Sequence, residues 1–386
     1  MSVPLANAAD IPLSLYVHMP WCVRKCPYCD FNSHGLRGEI PEAEYIDALI
    51  RDLDFELRDG ESRPLVSIFI GGGTPSLFSG AAIERLLSAV AARLRFVDDI
   101  EITMEANPGT VDAGHFRGYR AAGVNRLSIG VQSLNPAQLQ RLGRIHGVRD
   151  AEIAVATARD AGFDNLNLDL MFALPQQTPA EAEADLRAAL ALAPEHLSYY
   201  QLTLEPNTEF AARPPALPDD DDAWTMQLRG QALLAEAGYS QYEVSAYARP
   251  GRQSRHNRNY WQFGDYLGIG AGAHGKYSRA DGIERRARLK HPRGYLEHAG
   301  SAAALQEQRA LAAAELPFEF TMNALRLNEG FDAATFTTRT GLPLSAIEPR
   351  LTALAARGLL DHEGAGWRAS ALGRAHLNTV LTEFLD

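Results

Sequence analysis

A chain of 386 residues, 46% hydrophobic and 22% charged, has the composition of an ordinary soluble protein, long enough for one large α/β domain and a small appendage. Its formal charge of -11, with no basic tail, excludes non-specific binding to nucleic acid, which needs clustered Lys and Arg to neutralise phosphates. No stretch approaches the roughly 20 apolar residues of a membrane span, and residues 1–12 hold no cationic segment leading into an apolar run, so no membrane partner is expected and the cytoplasm is the expected compartment.

In chain order, β-rich apolar runs alternate with amphipathic helical stretches. The first strand is expected over 13–19 ("LSLYVHM"), followed by "CVRKCPYCDF" and a helix over 41–59. A second strand over 66–70 leads into "GGGTPS" and a helix over 80–95; further strands are expected over 100–104, 127–131, 166–172 and 197–202. The helix over 178–193 opens with Thr178 and has Glu181 three residues on, a capping pair. Strict βα alternation implies a parallel sheet, because each crossover must return over a sheet face. Six units fit either a doubly wound sheet or a partial (βα) barrel, and periodicity alone does not choose. The polar and glycine-rich motifs follow the strands' C-terminal ends, where active sites form in parallel α/β folds.

After residue 240 the composition turns aromatic and glycine-rich, as in "RHNRNYWQFGDYLGIGAGAHGKY" (255–277). From about 317 three helices and a hairpin-like segment suggest a winged-helix module. That module has more Asp and Glu than Arg and no Lys, so packing or covering a substrate is its expected role rather than reading DNA.

All three cysteines, Cys22, Cys26 and Cys29, lie in C-x3-C-x2-C directly after the first strand. Soft sulfur ligands favour zinc or an iron–sulfur cluster. A zinc site wants a fourth ligand, for which His34 is near enough in sequence, whereas a cubane held by three cysteines leaves one iron open.

This motif at the end of a first strand resembles the signature of radical S-adenosylmethionine (SAM) enzymes. The resemblance implies a 4Fe-4S cluster on Cys22, Cys26 and Cys29, with SAM chelating the fourth iron, and it implies a partial (βα)6 barrel over 1–240. "GGGTP" then resembles the segment that admits the methionine end of SAM, giving Gly72, Gly73 and Thr74. Glu105 resembles the carboxylate on the ribose, and Tyr16, Tyr28, Gln132, Arg144 and Asp169 fall at further SAM contacts.

"YVHMPWCVRKCPYCDFNSH", "SIGVQSL", "LDLMFALP" and "GIGAGAHG" resemble the oxygen-independent coproporphyrinogen III oxidase group over essentially the whole chain. Its decarboxylating members have a fourth cysteine where this chain has Phe31, and an N-terminal arm before the first strand, which here starts near residue 13. "HNRNYW" (256–261) instead resembles the H-N-x-x-Y-W motif of the group's haem-chaperone branch. That likeness implies haem as a ligand of the 241–315 segment, through His256 on the iron with Asn257, Tyr260 and Trp261, and Arg255 or Arg258 on a propionate; His274 is a weaker candidate. It further implies an acceptor haemoprotein, and an electron donor where SAM is cleaved. The third region, 316–386, is the winged-helix-like domain. Oxidative decarboxylation of coproporphyrinogen III stands as the alternative activity.

Overall fold

A computed structural model of the chain describes residues 3–385. Six strands, β1 (Leu13–Met19), β2 (Leu65–Gly72), β3 (Phe96–Ala106), β4 (Arg126–Gln132), β5 (Leu166–Phe172) and β6 (His196–Gln201), pair in sequential order and all parallel. The helices that return over them are α1 (Glu42–Leu57), α2 (Gly80–Ala91), α3 (Ala113–Ala121), α4 (Val148–Asp160), α5 (Pro179–Ala191) and α6 (Asp220–Glu236). The expected strands are present, several of them longer than the apolar run that marks them. In β2, for example, pairing continues into Gly71 and Gly72, so the glycine segment begins inside the strand. Thr178 and Glu181 form the capping box at the start of α5.

Alternation along the strands builds two different surfaces. Leu13, Leu15 and Val17 of β1, Ile68 and Ile70 of β2, Leu127 and Ile129 of β4, and Leu166 and Leu168 of β5 are buried in the main apolar core with the helices. The alternate positions are polar and bond to one another between neighbouring strands. Ser14 bonds Ser67 at 2.7 Å, Asn167 donates to Ser128 at 2.7 Å, and His196 bonds the Asn167 side chain at 2.6 Å. A polar barrel interior has to be satisfied internally or by a ligand.

Residues 241–315, distinct in composition, supply strands to both edges of the same sheet. β7 (Ala246–Ala248) runs antiparallel to β6. Helix α7 (Arg255–Trp261) then crosses toward the other edge, where β8 (Asp265–Ile269) lies parallel to β1. β9 (His274–Arg279), β10 (Gly282–Arg288) and β11 (Leu305–Ala310) follow as antiparallel neighbours, and α8 (Pro292–His298) sits between the last two. "GIGAGAHG" is thus the end of β8, a turn and the start of β9. Gly268 is required there, because a Cβ would stand 1.9 Å from the His274 carbonyl oxygen.

The C-terminal region packs around a second apolar core, including Phe320, Phe336, Leu351 and Trp367, which Leu5, Phe263 and Ile283 also join. α9 (Leu316–Ala324), α10 (Ala333–Thr340) and α11 (Glu348–Ala356) precede the hairpin of β12 (Leu360–Glu363) and β13 (Gly366–Ala369), which Phe331–Asp332 completes as a three-stranded sheet. This is winged-helix topology. Among the described residues no helix is long and apolar enough to cross a membrane.

Candidate functional site

The cysteine loop is closed on itself at the C-terminal end of β1. Trp21–Cys22 pairs with His34–Gly35, Cys29 N–H donates to the Cys26 carbonyl at 3.1 Å, and the Lys25 ammonium donates to the Phe31 carbonyl at 3.1 Å. Cys22 is buried and Cys26 and Cys29 are half-buried. All three thiols line one cavity of about 320 Å³, together with Tyr28, Gly72, Gly73, Thr74, Glu105, Gln132, Arg144 and Asp169. Burial pushes the Cys22 and Cys29 thiols above their usual range. They are therefore protonated until a metal claims them, and binding releases those protons.

Each wall of this cavity has a local cause. Gly72 has φ of 114°, and a Cβ on it would stand 2.5 Å from the His18 ring; on Gly73 it would stand 2.6 Å from the Trp21 carbonyl oxygen. The cradle therefore exists only with glycine. Arg144 donates to Cys26 Sγ at 3.5 Å and to the Gly130 carbonyl at 2.8 Å, which places a fixed positive charge beside the thiol. Gln132 adopts φ of 69° at the end of β4 and accepts from the Tyr200 hydroxyl at 2.8 Å. Burial, with the nearby Asp169 charge, pushes the Glu105 carboxyl up to about 7, and it accepts from Gly72 N–H at 3.0 Å. Burial also raises Asp169, which accepts from Asn167 at 2.8 Å and Ser128 at 3.2 Å. Two carboxyls turned into one polar cavity are acceptors suited to hydroxyl groups.

The donor set fits an iron–sulfur cluster better than a single ion. Among the described residues no three His, Cys, Asp or Glu side chains converge on one mononuclear site. His34, the zinc alternative, bonds Asn32 Oδ1 at 3.3 Å and the Lys290 carbonyl at 3.2 Å and packs edge-on against His291 at 5.5 Å, away from the thiol cavity.

A second cavity, of about 660 Å³, adjoins the first, and Phe31, Ser33, Gly72 and Glu105 line both. Tyr16 opens into this larger cavity and not the thiol cavity, bonding His18 Nδ1 at 2.8 Å. Helix α7 supplies the facing wall. Glu101 accepts from the backbone N–H groups of Arg255 at 3.1 Å and His256 at 3.2 Å, and Asn259 donates to Ser14 at 2.8 Å, so the helix is tied to β3 and β1. His256 and Tyr260, one turn apart, both line the cavity. The His256 ring lies 4.9 Å from Phe69 and 6.3 Å from Tyr16 between centroids, and its Nδ1 is buried with no hydrogen-bond partner. Burial and the neighbouring Arg126 charge hold its pKa down at about 4, so the imidazole is neutral with a lone pair available.

The other two motif residues lie on a different face of α7. Asn257 does not line the cavity, and Trp261 packs toward the C-terminal domain with the Arg326 guanidinium 4.3 Å from its ring centroid. The arginines expected on a propionate are engaged elsewhere: Arg255 pairs with Asp99, and Arg258 pairs with Glu329 at 2.7 Å. Neither lines the cavity. His274 does. Sequence reading missed His18, Ser128, Ser198 and Tyr200; His18 is the i+2 neighbour of Tyr16 and could have been found by alternation, whereas the other three have no recognised position two residues away.

A parallel partial barrel whose first strand delivers three thiols to a glycine-cradled, carboxyl-walled cavity is the architecture of a radical SAM protein. The pattern of the radical SAM superfamily matches residues 16–189 and that of the HemN C-terminal domain matches residues 311–376. The chain is 52% identical to heme chaperone HemW of Escherichia coli (strain K12), over 97% of this chain and 98% of that one. It is 50% identical to heme chaperone HemW of Haemophilus influenzae, with the same two coverages. The chain belongs to this HemW family of the radical SAM superfamily. Among solved structures, coproporphyrinogen III oxidase (HemN) from Escherichia coli superposes with a TM-score of 0.82 at 26% identity, over 98% of this chain and 91% of the other. The cofactors of the superfamily, a 4Fe-4S cluster and SAM, fit the residues that line the smaller cavity.

Proposed function

We propose that this chain is a haem chaperone: it holds a 4Fe-4S cluster on Cys22, Cys26 and Cys29, SAM between Gly72–Thr74, Glu105, Gln132, Arg144 and Asp169, and haem in the larger cavity, and it passes the haem to an acceptor haemoprotein. The observation that carries this reading is His256, a neutral imidazole lining a cavity large enough for a macrocycle, with no hydrogen bond to its ring among the described residues. Every thiol in the chain lines the other cavity, so an axial donor to haem iron has to come from another residue type, and imidazole is the commonest. The names of the two bacterial relatives agree with it. Tyr260 and Tyr266 supply aromatic wall, while Asn257 and Trp261 support the reading only through the motif. The cytoplasm is the proposed compartment, and an electron donor is a partner wherever SAM is cleaved.

The fold shared with HemN favours one competing reading, oxidative decarboxylation of coproporphyrinogen III. An anaerobic Soret titration of the reconstituted protein beside His256→Ala, with coproporphyrinogen turnover assayed on the same sample, separates the two. Saturable haem binding that the substitution weakens about tenfold or more, without turnover, is the expected result. Turnover, or the absence of specific haem binding in the wild type, would overturn the proposal.

A further inference from the structure

The chain contains 34 arginines and three lysines, so nearly every surface cation is a guanidinium. One lysine, Lys276, is buried and fully engaged, donating to Asp265 at 2.8 Å, the Phe263 carbonyl at 3.0 Å and Ser278 at 3.1 Å. The other two, Lys25 and Lys290, come from segments far apart in the chain to line the larger cavity, which has no arginine among its lining residues. Two of three lysines on one cavity is not what solvation of the surface produces, since this chain solvates its surface with arginine. Both are exposed at the rim, while His256, Tyr16 and Tyr260 form the deeper wall. Lys25 uses one N–H on the Phe31 carbonyl, and the Lys290 ammonium has no protein acceptor among the described residues. One exposed carboxylate, Asp30, shares the rim.

The chemistry differs between the two cations. A guanidinium is planar and stacks on aromatic faces, so at this rim it would compete for the flat surface of an aromatic ligand; an ammonium is a compact point charge with three rotatable donors. A cavity with an aromatic and imidazole interior and ammonium groups only at its mouth suits a flat apolar ligand carrying carboxylates on one edge.

We infer that Lys25 and Lys290 receive the two propionate carboxylates of haem, taking the role that Arg255 and Arg258, committed to Asp99 and Glu329, do not fill. This rests on the haem reading above and adds which edge of the ligand faces outward. A haem whose propionates are esterified then loses the lysine contribution and nothing else.

The test titrates haem and its dimethyl ester, separately, into wild-type protein, Lys25→Gln, Lys290→Gln and the double variant, with the cluster absorbance of each variant as the control on folding. Each single substitution should weaken haem binding about three- to tenfold, and the double variant should bind haem no more tightly than wild type binds the ester. Ester binding should not change across the four proteins. Wild-type haem binding that the double variant retains unchanged, or equal wild-type affinity for haem and ester, overturns the lysine assignment and leaves the haem reading standing. A wild type that binds neither ligand saturably overturns both. Lys290 lies outside the thiol loop, so Lys290→Gln decides the matter if substitution at Lys25 disturbs the cluster.

Discussion

At the scale of single residues, the site combines groups whose titration burial has shifted, Glu105 and His256 among them, with one thiol held beside a fixed cation. Cys26, held beside Arg144 at 3.5 Å, is the thiol with a built-in counter-charge, and without it two thiols remain. Cys26→Ala should lose the broad visible absorbance of the reconstituted cluster while His256→Ala keeps it; a normal four-iron spectrum from the Cys26 variant would remove that cysteine from the ligand set. Glu105 offers a test in the protein without cofactors. Its carboxyl titrates near 4.5 in the unfolded chain and near 7 in the folded one, so between these values the folded state holds a proton that the unfolded state has lost. Stability therefore falls as pH rises through that window, and the penalty is complete above pH 7. Glu105→Gln removes the titration. The variant should match wild type near pH 4 and exceed it at pH 8 by about 3–3.5 kcal/mol in urea unfolding, at ~1.4 kcal/mol for each pKa unit. Equal stabilities at pH 8 would mean that the ionised carboxylate is not penalised in the fold.

At the scale of elements, the barrel's outer layer depends on close helix packing. A Cβ on Gly80, at the start of α2, would stand 2.8 Å from the Gly118 Cα of α3, a contact with backbone that no side-chain rotation relieves. Gly80→Ala should push α2 and α3 apart and cost about 1–3 kcal/mol, lowering the unfolding midpoint with the cluster spectrum unchanged. The six strands were legible in the sequence because their outward residues pack against helices and read as apolar runs. β8 was not, because "DYLGI" is short, sits among glycines and acquires its place only by pairing with β1 far away in sequence. The site divides the same way. Cys22, Cys26 and Cys29 declare themselves by spacing, whereas Gln132, Arg144 and Asp169 came through family likeness, since nothing local distinguishes them from other buried polar residues. Arg255 and Arg258 stand outside the cavity because their partners, Asp99 and Glu329, lie on distant segments that no local pattern links to α7. Lys25 and Lys290 meet across one cavity only once β8 is laid against β1.

At the scale of the whole molecule, the strands after α7 have to be locked to the barrel, because the larger cavity lies between them. The lock is a buried ionic cluster joining α1 to β10. Arg288 bonds Asp52 at 2.9 Å and also Glu56, Arg286 reaches Glu56 at 2.8 Å, and the Tyr295 hydroxyl donates to Asp52 at 2.8 Å. Asp52 in turn accepts from Gly270 N–H at 3.2 Å, in the turn that leads from β8 to the His274 wall. Burial raises the Asp52 carboxyl, and Arg288 is the charge that opposes this most strongly. Replacing Arg288 with Met keeps much of the side chain's volume and leaves two buried carboxylates with one cation between them, an arrangement that costs about 3–5 kcal/mol when a single partner is removed. The sign with pH follows from the carboxylates. With Arg288 gone the folded-state pKa of Asp52 rises further above its unfolded value, so the folded variant takes up a proton there as pH falls and recovers stability. Arg288→Met should therefore be far less stable than wild type at pH 8 and regain part of the difference at pH 5.5, measured by urea unfolding at both. Haem affinity should drop more at pH 8 than at pH 5.5, because the His274 wall moves with the lock while His256, anchored on α7 by Glu101, does not. A variant with wild-type stability at pH 8 would show that the cluster does not lock the two parts, and the cavity wall would then have to be held by β8 pairing alone.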